Sequence, residues 1–192
     1  MTPTTTTPPQ TSTLHEIRLV GRGGQGIVTA GELLGEAALL DGKFAQSIPA
    51  FGPERRGALA TCTVRLAQGE ILLRCSAAAP DVLLAIDPTI WRQAPVFWGL
   101  KPDATLLFNT TRPLADLPAR PDGRVCAVDA TGIAIEFLGR PIPNTAMLGA
   151  FAVATGLVRM ESLEAVLRRR FPEKAESNIA AARAGQERLQ WA

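Results

Sequence analysis

The chain predicts an α/β fold built on a mixed, mostly parallel sheet, and three observations point there. Short apolar runs bounded by turn signals alternate with segments of helical periodicity. Four glycines crowd into Gly21-Arg-Gly-Gly-Gln-Gly26, between the first apolar run and the first helical one, as where a strand turns tightly into a helix. The last third of the chain is mostly helical in pattern. Strands alternating with helices predict helices on both sheet faces. The result is a Rossmann-like three-layer sandwich with an antiparallel hairpin and a helical C-terminal third.

The elements follow in order. Residues 16–20 read as a strand. Residues 26–40 read as a helix, because Ile27, Leu33, Leu34, Ala37, Ala38 and Leu40 recur on one face. Asp41-Gly42 ends it, with the glycine placed for a left-handed cap. A second strand covers 44–48, and a loop dense in proline and glycine spans 49–57. Residues 58–66 alternate and carry β-branched side chains, Ala67-Gln-Gly69 signals a turn, and 70–75 reads as the returning strand of a hairpin. The continuous apolar run 81–86 has the character of a buried parallel strand. Asp87-Pro88 opens the next element, read as a helix carrying Trp91. Residues 104–108 and 125–128 are two further buried strands. Helices are predicted over 131–138, 145–156, 163–170 and 173–189, with Pro172 at the first turn of the last.

At 192 residues and 46% hydrophobic content, the chain suits one domain with a substantial core. Residues 1–14 read as a threonine- and proline-rich flexible tail, and 15–192 as the domain. A formal net charge of +2 gives no case for nucleic acid. The one basic run, Arg168-Arg169-Arg170, reads as a solvated helix end whose cations complement the helix dipole. No apolar run reaches the roughly 20 residues of a membrane span. The N-terminus has neither the basic start nor the apolar centre of a secretory signal. Cys62, Cys75 and Cys126 are isolated and odd in number, so they read as small buried residues in a reducing cytoplasm. No closely spaced cysteines are present to hold an iron–sulfur cluster or zinc, and no metal ligand set is predicted. His15, the sole histidine, reads as a surface residue.

The glycine stretch fits the dinucleotide spacing at Gly21, Gly23 and Gly26. A dinucleotide site also needs a carboxylate at the end of the second strand. Asp41 lies 20 positions after Gly21, but in the helix-ending turn, and the second strand runs out at Ser47 and Ile48. Two readings therefore stand: phosphate or nucleotide binding, or tight strand–helix packing at an interface. Gln25 is unusual in such a loop, since its amide donates and accepts at once. Gly52-Pro-Glu-Arg-Arg-Gly57 fixes Glu54, Arg55 and Arg56 on a stiffened backbone. It is read either as an anion or partner contact or as a loop-shaping salt bridge.

Three segments carry a resemblance. Gly21-Arg-Gly-Gly-Gln-Gly26, Gly52-Pro-Glu-Arg-Arg-Gly57 and Asn144-Thr-Ala-Met-Leu-Gly-Ala-Phe151 resemble signature segments of the gamma subunit of 2-oxoacid:acceptor oxidoreductases, which include pyruvate:ferredoxin oxidoreductase. Asp129-Ala-Thr, Leu138-Gly-Arg-Pro141 and Phe171-Pro fall in the family's order, and the resemblance runs from about residue 15 to 189. It implies a subunit of a cytoplasmic complex that oxidatively decarboxylates a 2-oxoacid on thiamine diphosphate. Electrons pass through iron–sulfur clusters to ferredoxin or an NAD-reducing subunit, and the acyl group goes to coenzyme A. Partners would be alpha, beta and delta-type subunits. This chain carries neither the Gly-Asp-Gly segment of a thiamine site nor clustered cysteines, so the resemblance assigns those cofactors to the other chains and no catalytic residue to this one. It also implies a wall of a coenzyme A or substrate pocket at Gly21, Arg22, Gly23, Gly24, Gln25 and Gly26. Arg55 and Arg56 supply charge, and Asn144 is a third candidate, placed to cap the following helix. The Glu-Arg-Arg-Gly form is similar to pyruvate and 2-oxoisovalerate types, while Thr61-Cys-Thr-Val64 is similar to the 2-oxoglutarate branch. Aryl substrates such as phenylglyoxylate stay open. Phe44 and Phe51 stand where relatives often have tyrosine, which this chain lacks entirely. From another class, the competing reading is a stand-alone nucleotide-binding module using the Gly21 to Gly26 loop. A self-sufficient NAD enzyme is a third.

Overall fold

The computed structural model describes residues 13–50, 58–73 and 79–192. Strands β1 (Leu14–Arg22), β2 (Phe44–Ala50), β3 (Leu59–Ala67), β4 (Val82–Ala85), β5 (Thr105–Asn109), β6 (Arg124–Val128) and β7 (Gln190–Trp191) form one sheet in the order β2-β3-β1-β4-β5-β6-β7. β1, β4, β5 and β6 are mutually parallel neighbours. β3 runs antiparallel between β1 and β2, and β7 runs antiparallel on the outer edge of β6. The α-helices among the described residues are α1 (Ile27–Leu40), α2 (Ala130–Leu138), α3 (Asn144–Thr155), α4 (Met160–Arg170) and α5 (Ala175–Glu187). Leu14, placed in the tail by the sequence, is the first residue of β1; residues 1–12 lie outside the described residues.

The central strands bury both faces, which is why they read as unbroken apolar runs. Ile17 and Leu19, Val82 and Leu84, Leu107, Cys126 and Val128 face one core, shared with all five helices. Val20, Leu83 and Ala85, Leu106 and Phe108, Val125 and Ala127 face a second, smaller core. That second face is covered by 3-10 turns at Ile90–Arg92, Ala94–Phe97 and Leu114–Asp116 rather than by α-helices. The helix expected to carry Trp91 is one such turn. Pro88 and Pro95 bracket it and Gly99, at φ 72°, turns the chain away, leaving no length for an i to i−4 ladder.

The antiparallel patch is present, but its partners differ from those expected. Residues 70–73 form no strand, and 74 and 75 lie outside the described residues. A strand has two edges, and β1 and β2 occupy both edges of β3 over almost its whole length. β2 also extends through Pro49 and Ala50, expected in the loop. Proline is tolerated there because β2 is the edge strand, where a missing N–H breaks no ladder.

Close approach sets the helical layer. A Cβ at Gly149 of α3 would overlap the Ala182 carbonyl oxygen of α5, and one at Gly185 of α5 would overlap the Ala146 carbonyl oxygen of α3. The two helices thus meet backbone to backbone. Arg169 and Arg170 at the end of α4 pair with Glu36 and Glu32 of α1, as a solvated helix end does.

Candidate functional site

Because β1, β4, β5 and β6 run parallel, their last residues share one edge of the sheet, where open α/β sheets place ligand sites. The glycine loop leaves β1 on this edge and enters α1 directly. Gly24 and Gly26 have φ of 98° and 74°, in the left-handed region that favours glycine. Gly26 sits at the N-terminal boundary of α1 with no side chain to cap it. A Cβ at Gly21 would overlap the Ile27 side chain, and one at Gly26 would stand 2.5 Å from Asn144 Nδ2. Among the described residues nothing lies within 4 Å of the Cβ direction of Gly24. The loop therefore packs inward at its two ends and presents bare backbone outward at its middle.

The loop's own polar groups are largely satisfied within the chain. Gly23 N–H donates to the Ala58 carbonyl at 2.9 Å, and Gln25 N–H to the Arg22 carbonyl at 3.1 Å. Gln25 Oε1 accepts from the Arg22 N–H at 2.8 Å, and Gln25 Nε2 donates to Asp87 Oδ2 at 2.8 Å. Both ends of the amide, which the sequence offered to a ligand or partner chain, thus take part in shaping the turn. A phosphate cradle needs a ring of outward amides, and three of this loop's N–H groups are already bound.

Asp87 is the residue that sequence reasoning missed. It follows β4 and is only 5% exposed. Its Oδ1 accepts from the Thr89 N–H at 2.9 Å and the Thr89 hydroxyl at 2.5 Å. Its Oδ2 faces Gln25 Nε2 and, at 3.4 Å, Arg22 Nε. Arg22 Nη2 also donates to Thr89 Oγ1 at 3.2 Å. Burial alone would raise the pKa of this carboxyl; the bonds from Thr89 and Gln25 and the Arg22 charge outweigh it, so the group is held below the usual carboxylate range. An Asp-Pro pair just beyond a buried parallel strand was the available signal. Further along the edge, Asn109 donates from Nδ2 to the Ile86 carbonyl at 2.7 Å and to Thr131 Oγ1 at 2.8 Å, and its Oδ1 accepts from the Thr131 N–H at 3.1 Å. It ties the ends of β4 and β5 to α2.

Asn144 does reach the loop: its Nδ2 donates to the Gly26 carbonyl at 3.4 Å. It does not act as the expected N-cap. The cap position is Pro143 and Asn144 is the first helical residue, with Oδ1 accepting from the adjacent Thr145 N–H. At 5% exposure Asn144 supports the loop from behind. Thr145 continues the contact to Asn178 of α5, 3.1 Å away. The Asn-Thr-x-x-x-Gly pattern is therefore read by Gly26, Asn178 and α5 in turn.

The remaining sequence candidates fall elsewhere. Arg55 and Arg56, with Glu54 and Phe51, lie outside the described residues, as does Cys75. Cys62 and Cys126 are buried and free. Burial pushes the Cys126 thiol up to about 12 and raises that of Cys62 despite its Ser47 contact, so neither is a ready thiolate. Among the described residues no group of three His, Cys, Asp or Glu is placed to hold a metal, and no helix is long and apolar enough to cross a membrane. Asp41, which matched the dinucleotide count, instead caps α4 from a distance. Its carboxylate accepts from Arg159 N–H at 2.7 Å, Arg159 Nε at 2.8 Å and the Ser162 hydroxyl. A cleft of about 760 Å³ opens between residues 110–112, the start of α2 and residues 187–190, and none of the described predicted site residues lines it.

The model of the pyruvate ferredoxin/flavodoxin oxidoreductase family matches residues 16–188. The pyruvate/ketoisovalerate oxidoreductases common subunit gamma of Pyrococcus abyssi is 44% identical over 180 residues, spanning 91% of this chain and 97% of the relative. Pyruvate synthase subunit PorC of Methanothermobacter marburgensis is 45% identical over 175 residues, spanning 91% and 97%. Among solved structures, the pyruvate oxidoreductase subunit PORC of Thermotoga maritima superimposes with a TM-score of 0.82 at 35% identity, covering 93% of this chain and 98% of that one. The family match over residues 16–188, and relatives 44% and 45% identical over nearly their whole length, make this chain a member of the pyruvate ferredoxin/flavodoxin oxidoreductase family.

Proposed function

We propose that the chain is the gamma-type subunit of a 2-oxoacid:acceptor oxidoreductase complex and that its glycine loop forms one wall of the coenzyme A pocket. Relatives of matching length are themselves named as gamma or PorC subunits, which supports the subunit role. The observation that carries the pocket reading is the outward face at Gly24. Backbone is presented there without a side chain and, among the described residues, with nothing within 4 Å, on a loop braced by Gln25, Asp87 and Asn144. A flat or extended ligand can lie against such backbone. Three loop amides are engaged internally, so charge recognition falls to Arg55 and Arg56, whose forks suit phosphate.

Thiamine diphosphate and the iron–sulfur clusters belong, on this reading, to alpha, beta and delta-type partners. The two described cysteines are buried and far apart in sequence, which does not suit an iron–sulfur cluster between them. Coenzyme A supplies the thiol that accepts the acyl group, and this chain's part is to bind and orient it beside the catalytic subunits. Ferredoxin or an NAD-reducing subunit takes the electrons. The stand-alone nucleotide module loses support because three of the loop's amides are turned to its own chain and, among the described residues, no carboxylate stands at the end of β2.

The test is the Arg55→Ala/Arg56→Ala pair in the assembled complex. The KM for coenzyme A rises roughly tenfold or more, the worth of one or two charge-assisted hydrogen bonds, while the KM for the 2-oxoacid holds. Normal assembly with unchanged coenzyme A kinetics removes the binding claim.

A further inference from the structure

The glycine loop is shaped by a group that no signature segment contains. Asp87 comes from the turn after β4, 62 positions from Gln25. Its two oxygens divide the work. Oδ1 is taken by Thr89, whose amide and hydroxyl both donate to it, and this alone makes a turn. Oδ2 is left to the loop, where it receives Gln25 Nε2 at 2.8 Å and stands 3.4 Å from Arg22 Nε. Holding Gln25 by its nitrogen aims its oxygen at the Arg22 N–H, 2.8 Å away. The amide cannot be turned over without losing both bonds, so the carboxylate sets the direction of the whole relay. Between these fixed points lies Gly24, the one described loop glycine with open space before it and a positive φ. Glycine there gives the backbone wide conformational freedom, and the relay removes it.

We infer, on the coenzyme A reading above, that Asp87 is a positioning residue: it latches Gln25 and thereby holds the Gly21 to Gly26 backbone in the shape that receives coenzyme A. A preformed wall spares the ligand the cost of ordering the loop. Asp87 itself is shielded and does not touch the ligand.

The relay has a polarity that substitutions can reverse. In Asp87→Asn the introduced oxygen stays with Thr89, and an amide nitrogen then faces the Gln25 amide nitrogen. In Gln25→Glu two carboxylates face each other. In the Gln25→Glu/Asp87→Asn double variant donor and acceptor change places. The introduced asparagine amide donates to the introduced glutamate, whose second oxygen still accepts from the Arg22 N–H, and the negative charge beside Arg22 is kept.

All variants are read in the assembled complex by amide hydrogen exchange of residues 22–26 and by separate KM values for coenzyme A and for the 2-oxoacid it turns over. Each single variant is expected to speed exchange in the loop and raise the coenzyme A KM roughly tenfold, the scale of one lost hydrogen bond to a charged group. The 2-oxoacid KM holds, and the double variant returns both readouts to near the parent values. Gln25→Ala, which removes the latch without opposing two charges, carries the same expectation if a single variant fails to assemble. Unchanged loop exchange in Asp87→Asn overturns the latch. Faster exchange with an unchanged coenzyme A KM, when Arg55→Ala/Arg56→Ala does raise it, overturns the positioning role and leaves the pocket reading standing. If neither set moves the coenzyme A KM, the pocket reading falls and takes this inference with it.

Discussion

Asp41 shows how one residue can satisfy a sequence count and serve another end. It sits at the C-terminal boundary of α1, and its carboxylate closes the N-terminus of α4, where Arg159 offers no side-chain cap of its own. Burial pulls the pKa of Asp41 up, and the hydrogen bonds from Ser162 and Arg159 and the Arg159 charge pull it further down, for a net lowering. A carboxyl whose folded pKa is depressed adds stability that is fully present above its unfolded pKa, about 4, and is lost as the pH falls through the lower folded value. Asp41→Asn should therefore lower the unfolding midpoint at pH 7, and its gap from the parent should close as the pH is taken down toward 2. A gap that is constant across that range would deny the carboxylate this role. Gln25 teaches the same lesson. Its donor and acceptor were visible in the sequence, but not that Arg22 and Asp87 consume them.

Among elements, α3 and α5 make the contact most exposed to a single change. Ala146, Gly149, Ala181, Ala182 and Gly185 leave room for backbone against backbone. Gly149→Ala must push a carbonyl of α5 aside, an overpacking cost of about 3 kcal/mol. For a chain of this size that is a fall of roughly 6–12 °C in melting temperature. Calorimetry of the isolated chain measures it, and a change within error would mean that the helices separate freely. Asn144 and Thr145 ride on α3, so loosening this contact also loosens support for Gly26. Strand existence was legible wherever both faces are buried, as in β4, β5 and β6, because an uninterrupted apolar run leaves few alternatives. Pairing was less legible. Residues 58–66 and 70–75 look like a hairpin locally, yet β3 is claimed on both edges by β1 and β2, strands whose competing offer no short window reveals. The same holds for β7, two residues that pair only because α5 delivers them to β6.

For the whole molecule, the sheet collects at one edge the glycine loop, the Asp87 turn and the Asn109–Thr131 tie, supported from behind by Asn144. The subunit reading assigns the catalysis to the partner chains. The pure chain should accordingly leave 2-oxoacid, coenzyme A and electron acceptor unchanged. Added to the remaining subunits of a complex depleted of it, the same chain should restore coenzyme A-dependent turnover. Turnover by the isolated chain would contradict the subunit reading.

The amino-acid order by itself determined the fold class, most strand and helix positions, the tight turn at Gly21 to Gly26 and the family resemblance. Those features rest on local backbone freedom, burial period and short motifs, which are properties of neighbouring residues. Only the tertiary structure decided that the second sheet face carries turns instead of helices, that β3 lies between β1 and β2, and that Asp41 caps α4. It alone showed that Gln25 answers to Asp87. Each of these depends on which group from afar fills a vacant edge, helix end or hydrogen-bond partner, and that competition is settled by the folded chain as a whole.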